Sequence, residues 1–229
     1  MSETNCSCYL FAGPSFGGCE QLVSEARQSA EVLSPVQRHD VEKLVASERP
    51  GVMVLVDGYF QQCLSVGHAE IREAVAAGWS VWGLSSLGAI RAYEMRDFGV
   101  QGYGRVYKSF FEYEDFRDDE VALLHEPDPP YRFFSEPLIH IRVFLRHLVS
   151  VELLTAAQEE RILAGLMSTW FGNRTLSLLR SSLLELAPQN AAVIDKLLNN
   201  FRPFRIKQLD LSDFLREQPW KRKGKGGTG

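Results

Sequence analysis

The chain has 229 residues, 45% of them hydrophobic and 24% charged, which is the composition of an ordinary globular protein. Its net charge of −4 includes +4 from the C-terminal Lys221, Arg222, Lys223 and Lys225, so the rest is acidic and unlike a nucleic-acid-binding surface. It contains no apolar run of membrane-spanning length and no signal-peptide pattern, so we expect a cytoplasmic protein that contacts neither membrane nor nucleic acid.

The first half of the chain repeats one pattern, an apolar strand followed by a helix. Strands are predicted at Tyr9 to Ala12 and at residues 52–56 and 81–84. Helices are predicted after them, at residues 20–33, 66–76 and 87–96. This alternation predicts an α/β fold with an open, mostly parallel sheet and flanking helices.

The second half of the chain has a different pattern of predicted elements. A glycine-rich connection at residues 99–104 leads to an acidic segment and a short predicted strand at residues 121–124. Helices are then predicted at residues 135–149, 155–167, 174–187, 189–200 and 211–216. We therefore expect three parts: an α/β core over residues 1–150, an all-helical extension over 151–218 and a basic flexible tail over 219–229.

Residues suited to ligand binding follow each predicted strand. Gly13, Asp57 and Gly83 all fall at carboxyl ends of strands, where parallel sheets bind their ligands. Their loops are predicted to converge on one crevice.

The third of these loops carries two serines, Ser85 and Ser86, between a strand and a helix. A sharp strand–turn–helix junction can raise a serine hydroxyl onto the edge of the sheet, close to helix N–H groups that hold an anion. The alternative is an ordinary loop with a serine as helix N-cap, because Leu84 stands where the nucleophile-elbow pattern wants glycine.

His68 lies in the first turn of the second predicted helix. An imidazole there can act as general base, and a carboxylate such as Asp57 can hold it in the useful tautomer. The alternative is a surface histidine near a helix N-terminus.

The remaining polar residues do not define a metal or nucleotide site. The four cysteines lack paired zinc spacing, and the loop at residues 13–18 lacks the lysine of a P-loop. Asp118, Asp119 and Glu120 could hold magnesium, but an acidic run is more often a solvated loop. We therefore expect neither a metal nor a cofactor.

Five short motifs occur in order between residues 9 and 145. They are Gly13-Pro14-Ser15; Asp57-Gly58-Tyr59-Phe60 with Ser65-Val66-x-His68-x-Glu70-Ile71; Gly83-x-Ser85-Ser86-x-Gly88-Ala89-x-Arg91-Ala92-x-Glu94; Asp118-Asp119-Glu120-Val121-Ala122-Leu123-x-His125; and Ser135-Glu136-Pro137-Leu138-Ile139-x-Ile141-Arg142. Together they resemble the TfuA family. The sequence departs from the family pattern at His39, where glycine is expected before Asp40, and at His140, where asparagine is expected.

The resemblance implies a function. TfuA-like proteins accompany YcaO proteins, which activate peptide amides with ATP, and together they convert backbone amides of ribosomally made peptides or proteins into thioamides. The favoured role for the TfuA partner is release of sulfide by hydrolysis of the thiocarboxylate on a ubiquitin-like sulfur carrier of the ThiS kind. In that role Ser86 or Ser85 is the nucleophile, His68 the base and Asp57 the residue that orients it.

The resemblance also implies residues that bind the substrate. They are Gly13, Pro14, Ser15, Gly58, Tyr59, Glu70, Arg91, Asp119, Glu120, His125 and Arg142. Direct attack by water, a non-catalytic adaptor that docks on YcaO and recruits the carrier, and an unrelated hydrolase of small esters stay open as alternatives. The oligomeric state, including a homo-oligomer, is not fixed by the sequence.

Overall fold

A computed structural model describes residues 7–59, 64–114 and 116–221. The strands are β1 (Cys8–Phe11), β2 (Glu31–Leu33), β3 (Val52–Leu55), β4 (Ser80–Leu84) and β5 (Gln101–Tyr103). The helices are α1 (Glu20–Ser29), α2 (Asp40–Ser47), α3 (His68–Ala76), α4 (Leu87–Glu94), α5 (Gly104–Glu112), α6 (Leu138–Ser150), α7 (Ala156–Met167), α8 (Leu176–Leu186), α9 (Ala191–Asn199) and α10 (Ile206–Glu217).

The strands form one parallel sheet in the order β2-β1-β3-β4-β5. The central β3 reads Val-Met-Val-Leu and is buried along its whole length, as expected of a strand covered on both faces. The predicted α/β fold with an open parallel sheet and C-terminal helices is confirmed.

Several elements differ from their predictions. The helix predicted over residues 20–33 ends at Ser29, and the next three residues form the edge strand β2. The connection at residues 99–104 contains β5, and α2 and α5 were not predicted at all. Conversely, residues 121–124 form no strand, and the preceding acids Asp118–Glu120 form a 3₁₀ turn. The strands β2 and β5 were not predicted because three residues are too few to show an alternation of apolar and polar side chains.

The described chain forms two compact units. The first runs to Glu114 and includes the residues from Lys207 onward, and the second is Asp115–Ile206. The sequence predicts instead a boundary near residue 150, between the α/β core and the helical extension, and places the last helix in the extension. In the structure α10 belongs to the first unit, where Leu211, Phe214 and Leu215 join the core beside β1 and β3.

The contacts of α10 with the sheet are aromatic. The Phe214 ring lies edge-on to Trp82 of β4 and Tyr103 of β5, with centroids 5.6 and 5.1 Å apart. Burial and a hydrogen bond to Glu217 raise the pKa of Tyr103 to about 12. Helix α10 is therefore part of the sheet's own packing.

The second unit is helical. Helices α6 to α9 bury one face each around a core that includes Phe144, Leu148, Leu179 and Ile194. Helix α7 begins with a capping box, in which the Gln158 N–H donates to Thr155 Oγ1 at 3.3 Å and the Thr155 N–H donates to Gln158 Oε1 at 2.8 Å. No helix in the described part of the chain has both the length and the apolar character needed to cross a bilayer.

His39, where the family resemblance leads us to expect glycine, precedes α2 in the left-handed conformation with φ of 70°. A side chain is strained there, whereas glycine is not. We expect His39→Gly to raise the free energy of unfolding by up to about 1 kcal/mol, since the exposed ion pair of His39 with Glu42 contributes little.

The measurement is a urea unfolding curve for His39→Gly and for the control His39→Ala, which loses the ring but keeps the strained Cβ. If His39→Gly is less stable than His39→Ala, relief of backbone strain does not explain why the family pattern has glycine at this position.

Candidate functional site at the carboxyl edge of the sheet

Asp57, directly after β3, joins two of the predicted loops. Its carboxylate is buried and accepts three hydrogen bonds from the loop after β1, from the Gly13 N–H (2.9 Å), the Ser15 N–H (2.8 Å) and the Ser15 hydroxyl (2.7 Å). These bonds satisfy the carboxylate and fix the Gly13-Pro14-Ser15 loop against the end of β3. The two loops therefore meet at the carboxyl edge, as the parallel topology requires.

The serine turn, Ser85 and Ser86, lies at the end of the neighbouring β4. Ser85 has φ of 63°, uncommon for a residue other than glycine, and the Ser86 N–H donates back to the Leu84 carbonyl at 2.7 Å. Helix α4 begins at the next residue, so the sharp strand–turn–helix junction is present. Both serines are buried, at 0% and 2% exposure.

Two glycines let α4 lie directly on the sheet. A Cβ on Gly83 would come within 2.1 Å of the Gly88 carbonyl oxygen, and one on Gly88 within 1.8 Å of the Leu55 carbonyl oxygen. This close approach allows the Gly88 N–H to donate to the Val56 carbonyl at 3.1 Å. That N–H is therefore not available to an anion. The Leu87 N–H, at the start of α4, has no backbone acceptor within the described residues.

His68 lies elsewhere on the first unit. Its Nε2 is 2.7 Å from Glu94 Oε2, and Arg91 Nη1 donates to the same oxygen at 2.6 Å. Glu94 follows Ser86 by eight residues, about 12 Å along the axis of α4. The hydrogen bonds of Asp57 and of His68 are thus made to different partners, and the predicted Asp57–His68 contact does not form in the structure.

A cleft of about 400 Å³ opens beside the His68 ring. It is lined by His68, Ala69, Arg72, Glu94, Met95 and Phe98. Arg91, predicted to pair with an anionic substrate, also donates from Nε to the Val66 carbonyl at 3.0 Å. Arg91 therefore holds the entry of α3 against α4, and its guanidinium is already neutralised by Glu94.

Three further predicted residues have structural contacts in the first unit. Glu70 accepts the Gly67 N–H at 2.7 Å and the His39 N–H at 3.1 Å, so its carboxylate ties α3 to the start of α2. Gly58 bridges to Val36, and the Tyr59 carbonyl accepts the Ser65 hydroxyl at 3.3 Å. Phe60 of the same motif and the basic tail from residue 222 on lie outside the described residues.

The predicted substrate residues of the second unit form ion pairs with one another. Glu120 and Arg142 are both buried and joined by bonds of 2.7 to 3.1 Å from Nε and Nη2. Asp119 accepts from Arg174 at 2.5 Å, and His125 Nδ1 lies 2.5 Å from the Glu126 carbonyl oxygen. Asp118, Asp119 and Glu120 themselves form a 3₁₀ turn.

A second buried ion cluster contains the other family departure, His140. His140 Nδ1 is 3.0 Å from Glu136 Oε2, while Arg205 Nε donates to Glu136 Oε1 at 3.0 Å. Burial would raise the pKa of Glu136, but His140 and Arg205 outweigh it and hold that pKa below its usual value. Nothing in the sequence indicated the roles of Arg174 and Arg205, which lie 30 or more residues from the acids they bind.

Sequence reasoning also missed α10 as part of the site. The Lys207 carbonyl accepts the Ser85 hydroxyl at 2.8 Å, and Gln208 Nε2 donates to the Phe16 carbonyl at 2.6 Å. Two residues after Gln208, Asp210 Oδ2 accepts the Val106 N–H at the start of α5 at 2.9 Å. Burial raises the pKa of Asp210, although Arg105 and Val106 oppose the shift.

Within the described residues, no group of three or more His, Cys, Asp or Glu side chains is arranged to hold a metal ion.

These features define an α/β protein of the open parallel-sheet class, with a buried serine turn where such sheets bind ligands. A family model described as TfuA-like protein matches residues 57–175, more than half of the chain. The chain belongs to the TfuA-like family. A search of curated proteins finds no match. The family match includes Asp57 and the serine turn, and it does not include the Gly13-Pro14-Ser15 loop or α10.

Proposed function

We propose that this chain acts with a YcaO protein in backbone thioamide formation and releases sulfide by hydrolysing a thiocarboxylated ubiquitin-like carrier. TfuA-like proteins are known as YcaO-associated partners, and the chain belongs to that family. The observation that carries the hydrolytic part is the serine turn: two serines between β4 and α4, one of them at positive φ, beside the loops fastened by Asp57.

The chemistry suits that turn. Attack on the thiocarboxylate carbon produces a tetrahedral oxyanion, which the Leu87 N–H at the start of α4 can stabilise. One such donor is worth about 2.7–4 kcal/mol in the transition state. Hydrosulfide is a far better leaving group than an amine, so the site needs no strong general acid.

The proton of the nucleophile can pass either to His68 or to the departing sulfur. A base role for His68 requires its ring to leave Glu94, whose oxygen is 2.7 Å away. The alternative needs no histidine, since the departing sulfur can take the proton of the nucleophile. His68→Ala separates the two routes: a lower rate of sulfide release supports the base, and an unchanged rate supports transfer to sulfur.

The proposed substrate contacts fall into two groups. Gly13, Pro14 and Ser15 lie on the loop fixed by Asp57, in the same unit as the serine turn, and they are the best placed. Asp119 is 41% exposed at its side chain and stays a proposed contact. Glu120 and Arg142 are bound to each other, so we propose for them a supporting role instead.

The test is carrier hydrolysis without YcaO. The thiocarboxylated carrier is incubated with this protein alone, and sulfide release and the carrier mass are followed together. The control is the same carrier ending in an ordinary carboxylate. We expect sulfide to appear as the thiocarboxylate becomes a carboxylate. If no sulfide appears while thioamide formation by YcaO still depends on this protein, the hydrolytic proposal fails and the adaptor takes its place.

One observation favours that adaptor. Phe98 and Phe111 are both more than half exposed, and Phe111 packs edge-on to Tyr93 and Tyr107, which makes an aromatic surface on the first unit. Such surfaces are typical of protein interfaces. The leucine-rich helices of the second unit bury Leu179 and Leu183 in their own core.

A further inference from the structure

The two serines of the turn are adjacent in sequence but have different surroundings. The Ser85 hydroxyl is fully buried and donates to the Lys207 carbonyl in the first turn of α10 at 2.8 Å. To attack a substrate the hydroxyl would have to break this buried hydrogen bond, which costs free energy.

The backbone conformation of a nucleophile elbow would by itself select Ser85, because the elbow nucleophile is strained and Ser85 has positive φ. Positive φ also has a structural explanation here. It turns the chain sharply between β4 and α4 and brings the hydroxyl to α10, 122 residues away. The strain therefore does not by itself assign the chemistry to Ser85.

Ser86 is the N-cap residue of α4, yet its side chain makes no capping hydrogen bond. Thr155 and Thr175, the N-caps of α7 and α8, both accept from the backbone of their helices. Within the described chain the Ser86 hydroxyl has no hydrogen-bond partner. The described residues contain one fully enclosed side-chain donor or acceptor without a partner, Trp79 Nε1, so the Ser86 oxygen still touches solvent.

We infer that Ser86 is the nucleophile and that Ser85 fastens α10 to the turn; this assignment rests on the proposed function. The Ser86 oxygen forms a bond to the thiocarboxylate carbon, the carbon–sulfur bond breaks, and the hydroxyl proton leaves with sulfur as hydrosulfide. Water then adds to the serine ester, which restores the hydroxyl and releases the carrier carboxylate with one proton.

The experiment compares Ser86→Ala with Ser85→Gly. Alanine at residue 86 removes a hydroxyl that makes no bond, so we expect unchanged thermal unfolding and a loss of sulfide release of at least about 100-fold. Glycine at residue 85 removes the other hydroxyl and accommodates positive φ, so we expect a folded protein that still releases sulfide, at a much higher rate than Ser86→Ala.

Every outcome is informative. No sulfide from the wild-type protein refutes the proposed function and, with it, the assignment. If the wild type is active, a folded Ser86→Ala protein that keeps its rate overturns the assignment, whether or not Ser85→Gly loses activity. Labelling with a serine-reactive phosphonate probe gives a second readout independent of the carrier: it is expected on the wild type and on Ser85→Gly, and its persistence on Ser86→Ala contradicts the inference.

Discussion

Replacing Gly88 by alanine is expected to lower the free energy of unfolding of the first unit by about 3–5 kcal/mol. The added Cβ would lie 1.8 Å from the Leu55 carbonyl oxygen and 2.5 Å from the Leu55 carbonyl carbon, which are backbone atoms of the central strand. Helix α4 would have to move away from the sheet, breaking the bond from the Gly88 N–H to Val56 and displacing the serine turn.

Thermal unfolding measures this effect, and we expect the melting temperature to fall by about 10 °C or more. The matched control is Gly165→Ala within α7, where a Cβ meets no atom within 4 Å. Alanine is the better helix former, so the control should be as stable as the wild type or slightly more so. Equal stability of Gly88→Ala and the wild type would contradict the close packing of α4 on β3.

Replacing Glu120 by alanine in the helical unit is expected to lower the free energy of unfolding of that unit by about 3–5 kcal/mol. Glu120 and Arg142 are both almost fully buried, and the guanidinium donates to both carboxylate oxygens. Removing one partner leaves the other charge in the interior, where the lost pairing is not replaced by water.

The control is the same replacement of glutamate by alanine, made at an exposed ion pair. Glu185 pairs with Arg161 at 3.1 Å, but both side chains are more than two-thirds exposed, so Glu185→Ala should change the unfolding transition little. If Glu120→Ala is as stable as Glu185→Ala and loses only sulfide release, then Glu120 contacts the substrate as the sequence predicts, and our structural interpretation of the pair is wrong.

The sequence predicted the fold well where elements were long or buried on both sides. The run Val52 to Val56 and the helices of the second unit were recognisable from composition and periodicity. The edge strand β2 and the last strand β5 were missed because three residues carry no period and their stability comes from pairing with a neighbour.

The site was predictable only in part. Parallel topology was enough to bring the loops after β1 and β3 together. The partners of the buried Asp57 carboxylate were not predictable, because its donors, two backbone N–H groups and a serine hydroxyl, lie 42 and 44 residues away. The role of α10 depends on contacts across more than 100 residues, and no local pattern indicates that its first turn receives the Ser85 hydroxyl.

The proposed mechanism requires Ser86 to form an ester with the carrier during sulfide release. The most direct measurement is the intact mass of the protein after it is mixed with thiocarboxylated carrier and quenched in acid within the first turnover. We predict a covalent adduct of protein and carrier joined without the sulfur atom, present in the wild type and in Ser85→Gly and absent from Ser86→Ala. An adduct that persists in Ser86→Ala, or sulfide release by the wild type with no adduct at any time, would contradict the assignment of Ser86 as the nucleophile.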